Sequence, residues 1–321
     1  MNNILVVGGA GYVGGYLVDA IINDRNFSHR LNNHVTVYDN LTYEDRYLKD
    51  VDFVYGDIRD YQKLLTVIES RGITTIIWLA ALVGDPACAI NPKLTHEINC
   101  ESLKPILKEF SGKFIFMSTA SVYGARDGIL DETSPTNPLS EYAKSKLAAE
   151  DLVRNAESSL IFRLGTLFGV GDSHSRVRLD LVVNALSKRA AMGETLKVFG
   201  GAQWRPLLHV RDVSRAIRMG MDMRINGIFN LHNENYTISQ IADHIQKVVG
   251  CQVELNDIKF EDMRNYQLSS NVYRAFGWQP TIHIQTGIRE IVSLIQNNRL
   301  KDVNSYEYTN VGVLQRELNN A

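Results

Sequence analysis

The sequence predicts an α/β protein built on a doubly wound parallel sheet, followed by a smaller second part. Two observations carry this. Short apolar runs without polar alternation recur at residues 4–7, 35–38, 53–55, 75–79, 114–117 and 160–164, a pattern of strands covered on both faces. Helix-favouring segments separate these runs, and strands alternating with helices assemble into parallel sheets. At 321 residues, 45% hydrophobic and 22% charged, the chain is long enough for one large α/β unit or two domains.

The first run ends against "GGAGYVGG". Gly8, Gly11 and Gly14 stand between a strand and a helix, a G-x-x-G-x-x-G turn whose bare backbone lets a pyrophosphate reach N–H groups at the helix's positive end. Tyr12 and Val13 fill the turn between them. A tight turn with no ligand could use the same glycines, so the second strand decides. "VTVYD" ends in Asp39, where an acid hydrogen-bonds the adenosine ribose hydroxyls, and Asn40 follows it. Asp39 repels a 2′-phosphate and no Arg or Lys follows at once, so NAD is expected in preference to NADP. The arrangement predicts a Rossmann-type domain over residues 1–168.

After residue 164 the pattern loosens. "GVGDSHSRVRLD" (169–180) reads as a loop entering a helix. Helices are expected near 213–223, 239–249 and 287–296, and short strands at 196–199 and 228–231. No Pro- or Gly-rich linker marks a clean boundary. Residues 169–321 are expected to form mainly a cap and C-terminal tail, with the stretch around 205–231 returning to the first domain.

Chemistry enters with "SEYAKSKLAAE". Tyr142 and Lys146, four apart, share one helix face about 6 Å apart along the axis. A phenol titrates near pH 10, and a neighbouring ammonium with a positively charged nicotinamide makes it usable as a base near neutrality. It is the sole Tyr-x-x-x-Lys pair among 14 tyrosines. "FMSTASVYG" ends the fifth predicted strand in Ser118, Thr119 and Ser121, at the edge where open α/β sheets bind ligands. Turn capping is the plainer role for these hydroxyls.

Composition excludes other classes. A net charge of -2 leaves no basic excess to neutralise phosphates, so neither nucleic acid nor an anionic membrane is an expected partner. Three cysteines without a C-x-x-C pair fit reduced thiols, and the first apolar run has neither the basic flank nor the length of a signal peptide. A cytoplasmic protein is expected. The eight histidines show no His-x-x-x-His pair, so no metal is expected.

The combination of "GGAGYVGG", Asp39, "LAA" (79–81), "STASVYG", "YAKSK" and "RPLLHVRD" (205–212) resembles the extended short-chain dehydrogenases/reductases, specifically their nucleotide-sugar epimerase/dehydratase group. The resemblance implies NAD as cofactor, a nucleotide-diphosphate sugar as substrate and a homodimer, with residues 169–321 as the substrate-binding cap. It implies Tyr142 as catalytic base, Lys146 as its partner and nicotinamide-ribose ligand, and Thr119, four before Tyr123, as the hydroxyl on the reacting oxygen. Asp57 and Ile58 in "YGDIRD" resemble the adenine-contacting pair. Leu79, Ala80 and Ala81 resemble the cofactor-lining run, and Asn99 in "EINCES" an asparagine below the nicotinamide. Arg205 and Arg264 resemble the arginines that grip the diphosphate, with Ser121 and Arg178 beside the substrate.

"AALVGDPACAINP" and "RVRLDLVVNAL" resemble a branch of epimerases and C4 dehydrogenases in surface-polysaccharide pathways. The reading that follows is a 4-epimerase working through a 4-keto intermediate. A C4 dehydrogenase or 4-keto reductase would use the same residues, and a non-catalytic NAD sensor would have lost Tyr142 and Lys146. Dehydratases of the group place Asp and Glu directly after the catalytic Thr, whereas this chain has Ala120 and Ser121, so 4,6-dehydration is not expected. Cys88, in the loop after the fourth strand, is expected to be a packed, unreactive thiol.

Overall fold

Strand β1 (Asn3–Val7) is buried at all five positions, as a strand must be when both its faces are covered. In a computed structural model, which describes residues 3–23, 34–44, 46–256 and 264–320, it lies inside a seven-stranded sheet. Its partners are β2 (His34–Asp39), β3 (Asp52–Tyr55), β4 (Thr75–Trp78), β5 (Lys113–Thr119), β7 (Ser159–Leu164) and β11 (Gly227–Leu231). The order is β11-β7-β5-β4-β1-β2-β3, and every pairing is parallel. All six apolar runs read from the sequence are strands of this sheet.

Alternation within β1 divides the core. Ile4 and Val6 face a cluster with Val37, Ile77, Ile115 and Phe162. That side is covered by α1 (Tyr12–Ile22) through Leu17 and Ile21, and by α8 (Val210–Asp222) through Val213 and Ile217. Leu5 and Val7 face the other side with Ile76, Trp78, Phe114 and Phe116. There the cover is α2 (Tyr61–Ser70), α5 (Leu103–Glu109) and α6 (Glu141–Val153). Successive strand residues point to opposite faces, so one short run feeds two cores.

The chain runs outward from β1 in both directions, to β2 and β3 on one side and to β4, β5 and beyond on the other. Loops leaving the C-terminal ends of β1 and β4 therefore part, and ligands bind at such a switch point. Two short helices, α3 (Asp85–Ile90) and α4 (Pro92–His96), and a π-helical turn at Glu97–Glu101 follow β4.

The later chain builds smaller sheets. β8 (Thr166–Phe168) and β12 (Glu234–Thr237) flank β10 (Trp204–His209); β9 (Leu196–Phe199) pairs with β13 (Val253–Asn256), and β6 (Ala125–Leu130) with β14 (Asn265–Leu268). A third core, including Phe168, Leu196, Ile241, Ile245 and Ile288, lies under α7 (Val182–Ala191), α9 (Ile238–Val249) and α11 (Ile284–Gln296). The loop expected at 169–180 leads into α7. A short α10 (Asn271–Ala275) and α12 (Asn310–Asn320) complete the described helices. No helix among the described residues is long and apolar enough to cross a membrane.

Candidate active site

A cavity of about 310 Å³ opens over the C-terminal ends of β1, β4 and β5. At one end lies the glycine turn. Gly8 has φ +80°, and a Cβ there would come within 2.5 Å of the Ala80 nitrogen; a Cβ on Gly14 would come within 2.3 Å of the Gly9 carbonyl oxygen. Bare backbone is thus required for β1 to meet the β4 loop and for α1 to start tightly against the turn. Gly11 at the N-cap of α1 offers no side-chain cap, and no acid occupies its first turn. The helix's positive end is left to the cavity, a fit for a pyrophosphate.

Gly8, Gly11, Tyr12, Val13, Gly14, Asp39, Asn40, Asp57, Ile58, Leu79, Ala80 and Ala81 all line this cavity. The Asp39 carboxylate accepts hydrogen bonds from the N–H groups of Ala10 at 3.0 Å and Leu41 at 2.8 Å, which aim it along the turn. Burial pushes its carboxyl up. Asp57 is held by Arg59, with Nε at 3.0 Å and a terminal nitrogen at 2.7 Å, and that bond keeps its carboxyl below the usual range.

Thr119, Ser121, Tyr142, Lys146, Arg178 and Arg264 line the same cavity. Ser140 caps α6 by accepting from the Ala143 N–H at 3.2 Å. The helix therefore begins just before Tyr142, and its turn sets Lys146 behind it. Lys146 is buried with Nζ 4.6 Å from the centre of the Phe116 ring. Burial lowers it to about 8, which leaves it mainly cationic at pH 7. Burial pushes the Tyr142 phenol well above its ordinary range, while the Thr119 hydroxyl and Arg178 pull the other way. Thr119 also caps the turn after β5 by accepting from the Ser121 N–H at 3.2 Å, and the Ser121 hydroxyl meets that of Tyr266 at 3.3 Å. Ser118 turns its hydroxyl away to Glu150, which Arg163 pairs at 2.7 Å.

Two expected contacts lie outside the cavity. Asn99 is buried in the π-helical turn, where it accepts from the Leu82 N–H at 2.8 Å and donates to the Leu82 carbonyl at 2.9 Å and the Ser145 hydroxyl at 3.0 Å. It fixes the β4 loop from behind. Arg205 is buried too, and donates to the carbonyls of Trp204 at 2.8 Å and Arg264 at 2.6 Å. It braces the Arg264 backbone where β10 meets β14.

Comparison with known proteins bears on this geometry. Residues 4–231 match the NAD dependent epimerase/dehydratase family. The chain belongs to this family. It is 27% identical to a putative UDP-glucose 4-epimerase of Methanocaldococcus jannaschii over 92% of this chain and 99% of the relative. It is 26% identical to a UDP-glucuronate 4-epimerase of Thermodesulfobacterium geofontis over 93% and 97%. Among solved structures, the Thermus thermophilus UDP-glucose 4-epimerase complex with NAD superposes with a TM-score of 0.76 at 25% identity, covering 92% of this chain and 99% of that one. The UDP-glucose 4-epimerase of Thermotoga maritima shares the fold, with a TM-score of 0.79 at 23% identity over 93% and 100%.

As a member of the NAD dependent epimerase/dehydratase family, the protein is an enzyme of the extended short-chain dehydrogenase/reductase group with NAD as its cofactor. Several residues lining its cavity escaped sequence reading: Tyr43, Glu44, Val83, Gly84, Arg176, Tyr266 and Asn310. The one sequence signal among them was the charge doublet of Arg176 with Arg178. Cys88 is fully buried against Leu82, Ala87 and Leu314, and burial pushes its thiol up to about 12, which makes it inert.

Proposed function

We propose that the protein is a nucleotide-sugar 4-epimerase acting through a 4-keto intermediate. The observation that carries this is the convergence of Tyr142, Lys146 and Thr119 with the glycine turn in one cavity. In this reading Tyr142 takes the proton of the sugar's C4 hydroxyl as the C4 hydride leaves, and returns it to the same oxygen when C4 is reduced again. Thr119 hydrogen-bonds that oxygen, which keeps it beside the phenol. Lys146 holds the phenolate by charge and hydrogen-bonds the nicotinamide ribose. Bound NAD supplies the hydride acceptor and, after the sugar turns its other face, the donor. Arg264 and Arg178 reach the diphosphate as planar donors. The relatives named as UDP-glucose and UDP-glucuronate 4-epimerases support a uridine diphosphate sugar.

The residues after Thr119 argue against dehydration. Ala120 has no proton to move, Ser121 is a poor acid, and both are buried. Asp85, a carboxylate that could replace one role, accepts from Ser140 at 2.7 Å and pairs with Arg264 at 2.9 Å. The test is incubation with UDP-, dTDP-, GDP- and CDP-hexoses and their uronates, followed by mass and sugar configuration. Unchanged mass with inverted C4 is expected. Loss of two hydrogens with NADH formed would make it a dehydrogenase, and loss of water would make it a dehydratase.

A further inference from the structure

We propose that Arg176 is the keystone of a strap that holds the dinucleotide in the cleft, tying residues 40–44 to the C-terminal segment 306–314 across the cavity. The Arg176 backbone N–H donates to the Glu44 carboxylate at 2.7 Å, and its guanidinium lies 4.3 Å from the centre of the Tyr43 ring. The same guanidinium donates to the Glu307 carbonyl at 3.2 Å and to the Asn310 side-chain oxygen. Asn310, only 4% exposed, donates its amide to the Val83 carbonyl at 2.7 Å and its backbone N–H to Asp180 at 2.8 Å.

The strap therefore joins three edges of one opening: the loop after Asp39, the loop after β4 and the segment before α7. Its far end is anchored by apolar packing, with Val311, Leu314 and Leu318 of α12 against Leu82, Cys88 and Tyr142. Tyr43, Glu44, Val83, Arg176 and Asn310 all line the cavity, so a dinucleotide seated on the glycine turn leaves only after these contacts part. Slow release suits an enzyme that regenerates its cofactor in every cycle, and in that purpose the inference rests on the epimerase reading.

The test loads the full-length protein with NADH and follows its fluorescence after a chase with excess NAD. Arg176→Ala and Asn310→Ala are each expected to speed NADH release about tenfold, the worth of one such contact. The double variant should gain less than the product of the two, because the contacts form one unit. Tyr43→Leu, which removes only the stacked ring, gives the same readout should Arg176→Ala fail to fold. Unchanged release from the folded variants would overturn the strap. Release is read without any sugar, so a strap that holds beside an uninverted C4 would sink the epimerase reading alone.

Discussion

Lys146 is the residue at which stability and chemistry pull apart. Its ammonium is disfavoured by burial and drops from 10.5 to about 8, so the folded chain carries an unfavourable charge wherever the unfolded chain would hold that proton. The cost is complete below about pH 8, shrinks as pH rises toward lysine's ordinary value and vanishes above it. Lys146→Met is therefore expected to stabilise the NAD-free protein at pH 7 by on the order of 1–3 kcal/mol, with the gain gone near pH 10.5, while weakening NAD binding. Urea unfolding at both pH values, beside NAD titration, checks this. Tyr142→Phe should keep fold and NAD binding yet lose turnover by roughly two to four orders of magnitude, the worth of a positioned acid/base; single-turnover rates decide. Asp39 should favour NAD over NADP by several kcal/mol of like-charge repulsion, which dissociation constants for the two cofactors measure.

At the scale of elements, the turn from β1 into α1 shows why local spacing was readable. Gly8 and Gly14 are demanded by contacts within the turn and with the adjoining β4 loop, and Tyr142 and Lys146 by one helix repeat, so each pair is written in a few consecutive residues. Gly14→Ala is expected to destabilise the fold by about 1–3 kcal/mol, because its methyl would overpack the Gly9 backbone, and to abolish NAD retention; thermal unfolding and gel filtration of loaded protein check both. Far from the cleft, α9 starts on a capping box in which Thr237 accepts from the Gln240 N–H while the Gln240 side chain accepts from the Thr237 N–H. Thr237→Ala there should cost about 1 kcal/mol and leave NADH release unchanged.

At the scale of the molecule, legibility fades with chain separation. The strands of the large sheet are legible because each apolar run reports its own burial, and the switch point beside β1 places the cleft. Arg176 and Asn310 meet across 134 positions, and nothing local in either segment announces the meeting. The contact of Arg205 with the Arg264 backbone is another of this kind, spanning 59 positions where β10 meets β14. Asn99 likewise acts one layer behind the site, through Leu82 and Ser145.

In the proposed epimerisation C4 loses and regains one and the same hydride inside the cavity, with Tyr142 moving only the oxygen's proton. A sugar nucleotide that the enzyme turns over, deuterated at C4, tests it directly when the reaction runs in ordinary water and the epimerised product is examined by mass spectrometry and NMR. The deuterium is expected to stay at C4 of the inverted sugar, with no solvent hydrogen replacing it. Deuterium lost to water, or released in free NADH, would contradict it.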